Sequence, residues 1–143
     1  MSFPKHLGLA LVVLFATPAG AMAENASMTV SVKNLSPPTG SVEISLFDSE
    51  ETFMQEPLRQ QSGKSSESGE YETVFNDLPT GDYAVVVVHD ANDNGKLDTG
   101  FLGFGGENYG FSNRASSWFG RPDFEEAKIT VEASGTRVDI DLQ

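Results

Sequence analysis

The chain of 143 residues has no cysteine, one tryptophan, two histidines and only nine Lys and Arg. Without cysteine there is neither a disulfide framework nor thiol chemistry, so stability rests on a packed core or a bound ion. Against those few cations stand 21 Asp and Glu, for a net charge of −12. A field of that sign repels nucleic acid and anionic lipid and attracts cations. Long apolar runs are also scarce. The longest, Leu7 to Phe15, falls short of the roughly 20 residues of a membrane anchor and is followed by Pro18 and Gly20.

Lys5 and His6 precede that run, and Ala21-Met22-Ala23 follows it with a small-x-small pattern. This order predicts an export signal over residues 1–23, cleaved before Glu24. Residues 24–143 then form one domain, periplasmic or secreted, with no transmembrane segment and, without Lys5, a net charge of −13.

Most of that domain reads as strands. Met28, Val30 and Val32 alternate with Thr29, Ser31 and Lys33, and Val42, Ile44 and Leu46 alternate with Glu43 and Ser45. The intervening Ser36-Pro37-Pro38-Thr39-Gly40 is a turn by composition, and it suggests that these two strands pair with each other. Asp48 to Met54 reads as a short helix ended by Pro57, and Arg59 to Gly69, polar and without a period, as a loop. Tyr71, Thr73 and Phe75 mark a further strand. Asp82 to His89, with Val85 to Val88 unbroken, reads as an interior strand covered on both faces, since four valines in a row are poor helix formers. Phe124 to Ala133 and Thr136 to Leu142 predict two last strands around Ser134-Gly135. The expected architecture is all-β: a single sandwich of six or seven mostly antiparallel strands, with a small closed barrel as the competing solution.

The interior strand runs straight into Asp90-Ala91-Asn92-Asp93-Asn94-Gly95-Lys96-Leu97-Asp98. Calcium takes six to eight hard oxygens from a flexible loop. Asp90, Asn92, Asn94, the Lys96 carbonyl and Asp98 occupy positions 1, 3, 5, 7 and 9 of an EF-hand-type loop, with Gly95 at position 6. Position 12 is Phe101 rather than glutamate, and the nearest downstream acid is Glu107. With so few certain carboxylates the expected dissociation constant is about 10⁻⁴ to 10⁻³ M. An Asx-rich turn, in which these side chains cap their own backbone, is the competing reading. His89, the one histidine beyond the signal, is expected to end the strand and orient the loop by hydrogen bonding.

Residues 91–125 are rich in glycine and aromatics, a long Gly/aromatic-rich loop. Tyr109, Phe111, Trp118 and Phe119 would present rings to a glycan or an envelope protein, although Phe111 and Phe124 fit better as a satellite core under the loop. Arg114 and Arg121 would orient an anionic group or pair internally. Catalysis has little support. Ser112, Ser116 and Ser117 lack a Gly-x-Ser-x-Gly context, and Gly103-Phe104-Gly105-Gly106 has no Lys-Ser pair after it. The enzymatic alternative is a carboxylate-dependent hydrolase built on Glu107, Asp90 or His89. A third reading is a passive acidic envelope protein with no ion site.

Several of these segments recur together in one family. Lys33-Asn34-Leu35, Val42-Glu43-Ile44-Ser45-Leu46-Phe47, Leu78-Pro79-Thr80-Gly81-Asp82-Tyr83-Ala84, His89 to Asp98, Gly106 to Asn113 and Pro122 to Ala127 resemble, in order, the exported bacterial proteins of the DUF2141 family. The chain departs from that pattern at Gly103-Phe104-Gly105, where the family commonly has Gly-Ile-Pro. The resemblance implies export and a prealbumin-like or carboxypeptidase-regulatory-like sandwich. It implies no activity and no ligand.

Overall fold

The computed structural model describes residues 24–95, 107–116 and 121–142. The predicted signal, Lys96, Asp98, Trp118 and Phe119 therefore lie outside the described residues.

Among the described residues, eight strands form two packed sheets. In the first, β1 (Asn25–Lys33) lies between β4 (Tyr71–Pro79), antiparallel to it, and β8 (Thr136–Asp141), parallel to it. In the second, β3 (Arg59–Lys64), β2 (Ser41–Phe47) and β5 (Gly81–Asp90) follow in order. The far edge of β5 is shared end to end by β7 (Ile129–Val131), paired to Gly81–Tyr83, and β6 (Asn108–Phe111), paired to Val86–His89. The expected all-β sandwich is the observed one.

The period-2 pattern fixes which residues meet between the sheets. Met28, Val30 and Val32 of β1, Phe75 and Leu78 of β4, and Val138 and Ile140 of β8 face Val42, Ile44 and Leu46 of β2 and Tyr83, Val85 and Val87 of β5. Each such valine or isoleucine taken out of water contributes about 1.5–3 kcal/mol before the entropy cost of ordering. The opposite face of β5 is also covered. Ala84 and Val86, with Phe47, sit under Phe53, Phe111, Phe124 and Ala127, whose rings meet edge to face (Phe47–Phe53 5.4 Å, Phe53–Phe124 6.0 Å). This second layer is why the valine run is continuous rather than alternating, and it holds Phe111 and Phe124 in the satellite core.

Four local expectations differ. Strands β1 and β2 do not pair; the proline turn between them carries the chain from one sheet to the other. Arg59–Lys64 is an edge strand rather than a loop, held by β2 on one side and by its own side chains on the other. Gln61 Nε2 donates to the Val74 carbonyl (3.1 Å) and the Arg59 guanidinium to the Asn76 carbonyl (2.5 Å), so polar groups do the work of an apolar face. Residues 48–54 form turns, with Met54 at φ 58°. Phe124–Ala127 is a single helical turn, α1, begun by a reciprocal cap: the Asp123 carboxylate accepts from Glu126 N (2.8 Å) and Glu126 from Asp123 N (3.0 Å).

Candidate functional site

The alternation along β5 puts His89 on the inner face and Asp90 on the outer one. His89 is 1 % exposed, and its Nε2 lies 2.7 Å from the carbonyl oxygen of Thr39, to which it donates. The strand runs one residue further, to Asp90, and the bond fastens the neighbouring turn at Thr39 rather than the loop after Asp90. The same turn touches the start of the loop directly: Thr39 Oγ1 reaches the Ala91 carbonyl (3.4 Å), and Gly40 (φ +82°) packs against the Asp90–Ala91 peptide.

Beyond Asp90 the loop folds on itself. Asp93 N approaches the Asp90 carbonyl (3.4 Å), and Asp93 takes a left-handed conformation with φ 58°. The Asp90 carboxylate accepts Asn94 N on one oxygen (3.2 Å) and Gly95 N on the other (2.9 Å), and Asn92 Oδ1 accepts Asn94 N (3.1 Å). These are the bonds of an Asx turn. The amides thus hold Asp90 in place.

Glu107 arrives from the opposite strand. The β5–β6 ladder ends at His89–Asn108, so the next step places Glu107 across from Asp90. The two side chains interact, and both Glu107 carboxyl oxygens are buried. Like charges directly opposite on a ladder repel. The Asp90 carboxyl is held below its usual range. Partial burial works to raise it, but the Gly95 and Asn94 amides, then Glu107 and the Asp93 amide, outweigh that effect.

A third acid serves differently. Asp93, at the non-ligating fourth position, has its carboxylate held by the Lys64 ammonium on β3 and the Ser41 hydroxyl on β2, and Lys64 also donates to Ser41 Oγ (3.2 Å). The hydrogen bond from Lys64, then that from Ser41, keeps the Asp93 carboxyl below the ordinary carboxylate range. Ser41 and Lys64 were not among the residues expected at the site. They lie far away in sequence, and the only hint was that Lys64 is one of few cations in an acidic chain.

The structure therefore brings Asp90, Asn92, Asn94 and Glu107 to one end of the sandwich, with Asp93 turned aside to the β2–β3 edge. Lys96 and Asp98, the remaining expected ligands, lie outside the described residues. Among the described residues no three His, Cys, Asp or Glu stand together as a metal-binding group. Of the expected aromatic surface, Phe111 is core, and Tyr109 is half-buried with its ring edge-on to Phe111 at 5.6 Å. Ser112 is fully buried: its Oγ accepts Val85 N (2.8 Å) and bonds the Ala127 carbonyl (2.5 Å), an architectural role.

A family model described as an uncharacterized protein conserved in bacteria, DUF2141, matches residues 30–139. No curated protein and no solved structure matches the chain.

Proposed function

This chain belongs to the DUF2141 family of bacterial proteins, whose description assigns no activity, and from its site we propose that it is a calcium-stabilised binding or structural module of the cell envelope. Asp90, Asn92, Asn94, the Lys96 carbonyl, Asp98 and Glu107 would supply the oxygens. The observation that carries this reading is the opposition of Asp90 and Glu107 at the end of the β5–β6 ladder. A divalent cation between them would turn a repulsive pair into a joint ligand. Neutral Asn oxygens and a peptide carbonyl suit the flexible shell of calcium better than the rigid, hydrated octahedron of magnesium.

In this reading the ion orders the loop that follows, and Tyr109 with Trp118-Phe119 presents rings to an envelope protein or glycan. The export signal over residues 1–23 would deliver the domain to the periplasm or beyond, where millimolar calcium matches a weak site. The test is calorimetry and thermal melting of the mature chain with calcium, against Asp90→Asn. At ten times its dissociation constant calcium should add about 1.4 kcal/mol of stability, a rise in Tm of about 3–6 °C. A flat titration to millimolar calcium would leave the Asx turn as the whole account of this loop.

A further inference from the structure

The pairing of β2 with both of its neighbours places Asp90, Ser41 and Lys64 in one row across the second sheet. Ser41 stands opposite Asp90 of β5 on one side and opposite Lys64 of β3 on the other. Residues paired in this way project to the same face. The loop that leaves Asp90 turns back over that row within three residues. Asp93 N closes toward the Asp90 carbonyl (3.4 Å), and the Asp93 carboxylate lands on the two members of the row that belong to other strands, the Ser41 hydroxyl and the Lys64 ammonium. Lys64 also donates to Ser41 Oγ (3.2 Å), which closes the three side chains into a triangle.

An exposed ion pair adds little stability by itself. This one fixes a backbone. Asp93 is left-handed (φ 58°), a conformation that an L residue keeps only where its neighbours hold it. With Asp90 set in β5 and Asp93 tied to β2 and β3, the first turn of the loop is anchored at both ends. Asn92 lies inside that span. Asn94 follows directly, its amide bonded to the side chains of both Asp90 and Asn92. The two asparagines are thus held relative to Asp90 by strands that supply no ligand themselves.

We infer that Lys64 and Ser41 are positioning residues for the calcium site, acting through Asp93, and that this latch sets the affinity of the site. The inference rests on the calcium reading given above. An ion that meets a loop already turned is spared the entropy cost of turning it. Coulomb's law alone gives the opposite sign, since a lysine beside a cation site opposes binding and its removal should tighten it. The direction of change on removing Lys64 therefore separates the two effects. The side chains of Lys64 and Asp93 are 69 % and 41 % exposed, so salt screens the latch. By linkage, bound calcium strengthens the Lys64–Asp93 contact by the same factor that the contact strengthens calcium binding.

The test is calorimetric titration of the mature chain with calcium chloride, at a temperature where every variant is folded. Lys64→Met should weaken binding by about fivefold or more, although it removes a positive charge. Lys64→Arg, which keeps a charged donor, should restore it. In the Asp93→Asn background, where the latch is already open, Lys64→Met should weaken binding no further. Raising sodium chloride from about 0.1 to 1 M should bring wild type and Lys64→Met together, because the screening length falls from about 10 to 3 Å; a general loss of stability would not respond so. Hydrogen exchange at the Asn94 and Gly95 amides of the calcium-free chain should quicken in Lys64→Met. Calcium binding by Lys64→Met as tight as wild type or tighter, or an equal loss in the Asp93→Asn background, would overturn the latch and leave the calcium reading standing. Absence of binding by the wild-type chain would overturn both.

Discussion

Gly40 and Asp90 touch backbone to backbone: a Cβ placed on Gly40 would lie 2.0 Å from the Asp90 carbonyl oxygen and 2.7 Å from the Ala91 Cα. The neighbouring contact is backbone that cannot swing away, and Gly40 also has φ +82°. Gly40→Ala should therefore cost about 2–4 kcal/mol, from overpacking together with left-handed strain. Urea denaturation measures it, and a loss under 0.5 kcal/mol would mean that the turn and the loop do not meet as described.

Glu107→Gln separates the pair's role in the ion-free protein from its proposed role with calcium. A glutamine amide can donate to Asp90 and removes one of two opposed charges, so stability without calcium should not fall by more than about 1 kcal/mol. The calcium-dependent rise in Tm should disappear. A variant that keeps the full rise would remove Glu107 from the ligand set.

The Asp93 clamp gives a pH dependence of definite sign. Its carboxyl is depressed in the folded chain by Lys64 and Ser41, relative to about 3.9 when unfolded. The clamp's contribution is therefore complete above that unfolded value and fades as the pH falls through the lower folded one. Lys64→Met should raise the Asp93 titration midpoint, followed by carboxyl carbon resonances, and the stability gap between variant and wild type should close in acid. An unmoved midpoint would show that Lys64 does not reach Asp93 in solution.

Ser112→Ala leaves the Val85 amide without its side-chain acceptor in a closed interior. The expected loss is about 1–3 kcal/mol, the cost of a buried donor left unsatisfied. Hydrogen exchange at Val85 should quicken with it. Stability within experimental error of the wild type would place Ser112 nearer to water than the structure does.

Much of the frame was legible because one side chain in two had to be apolar. That signal picked out β1, β2, β4 and β8, and the valine run announced that β5 is covered on both faces. It failed where packing is done by polar groups. Nothing in Arg59-Gln60-Gln61-Ser62-Gly63-Lys64 alternates in hydropathy, because Arg59 and Gln61 bond the β4 backbone rather than filling a core. It failed also at α1, where Ala127, Ile129 and Val131 keep a strand's spacing across a helix-to-strand junction; the Asp123–Glu126 cap was the clue that outranked it. At the site, residues adjacent in sequence were readable from their oxygens. The support from Gly40, Ser41 and Lys64 was not, since pairing with β2 brings them there and no local pattern records it.

The parallel union of β1 with β8 joins Val30 to Val138, about a hundred residues along the chain. Such a contact is among the slowest kinds to form, because a very large loop must close before any reward comes. The first sheet cannot be completed until β8 has been synthesised, so β1 in a growing polypeptide keeps one side open until then. Loss of β8 would leave Met28, Val30 and Val32 with a bare flank, and so turn the first strand of the domain into its most adhesive edge.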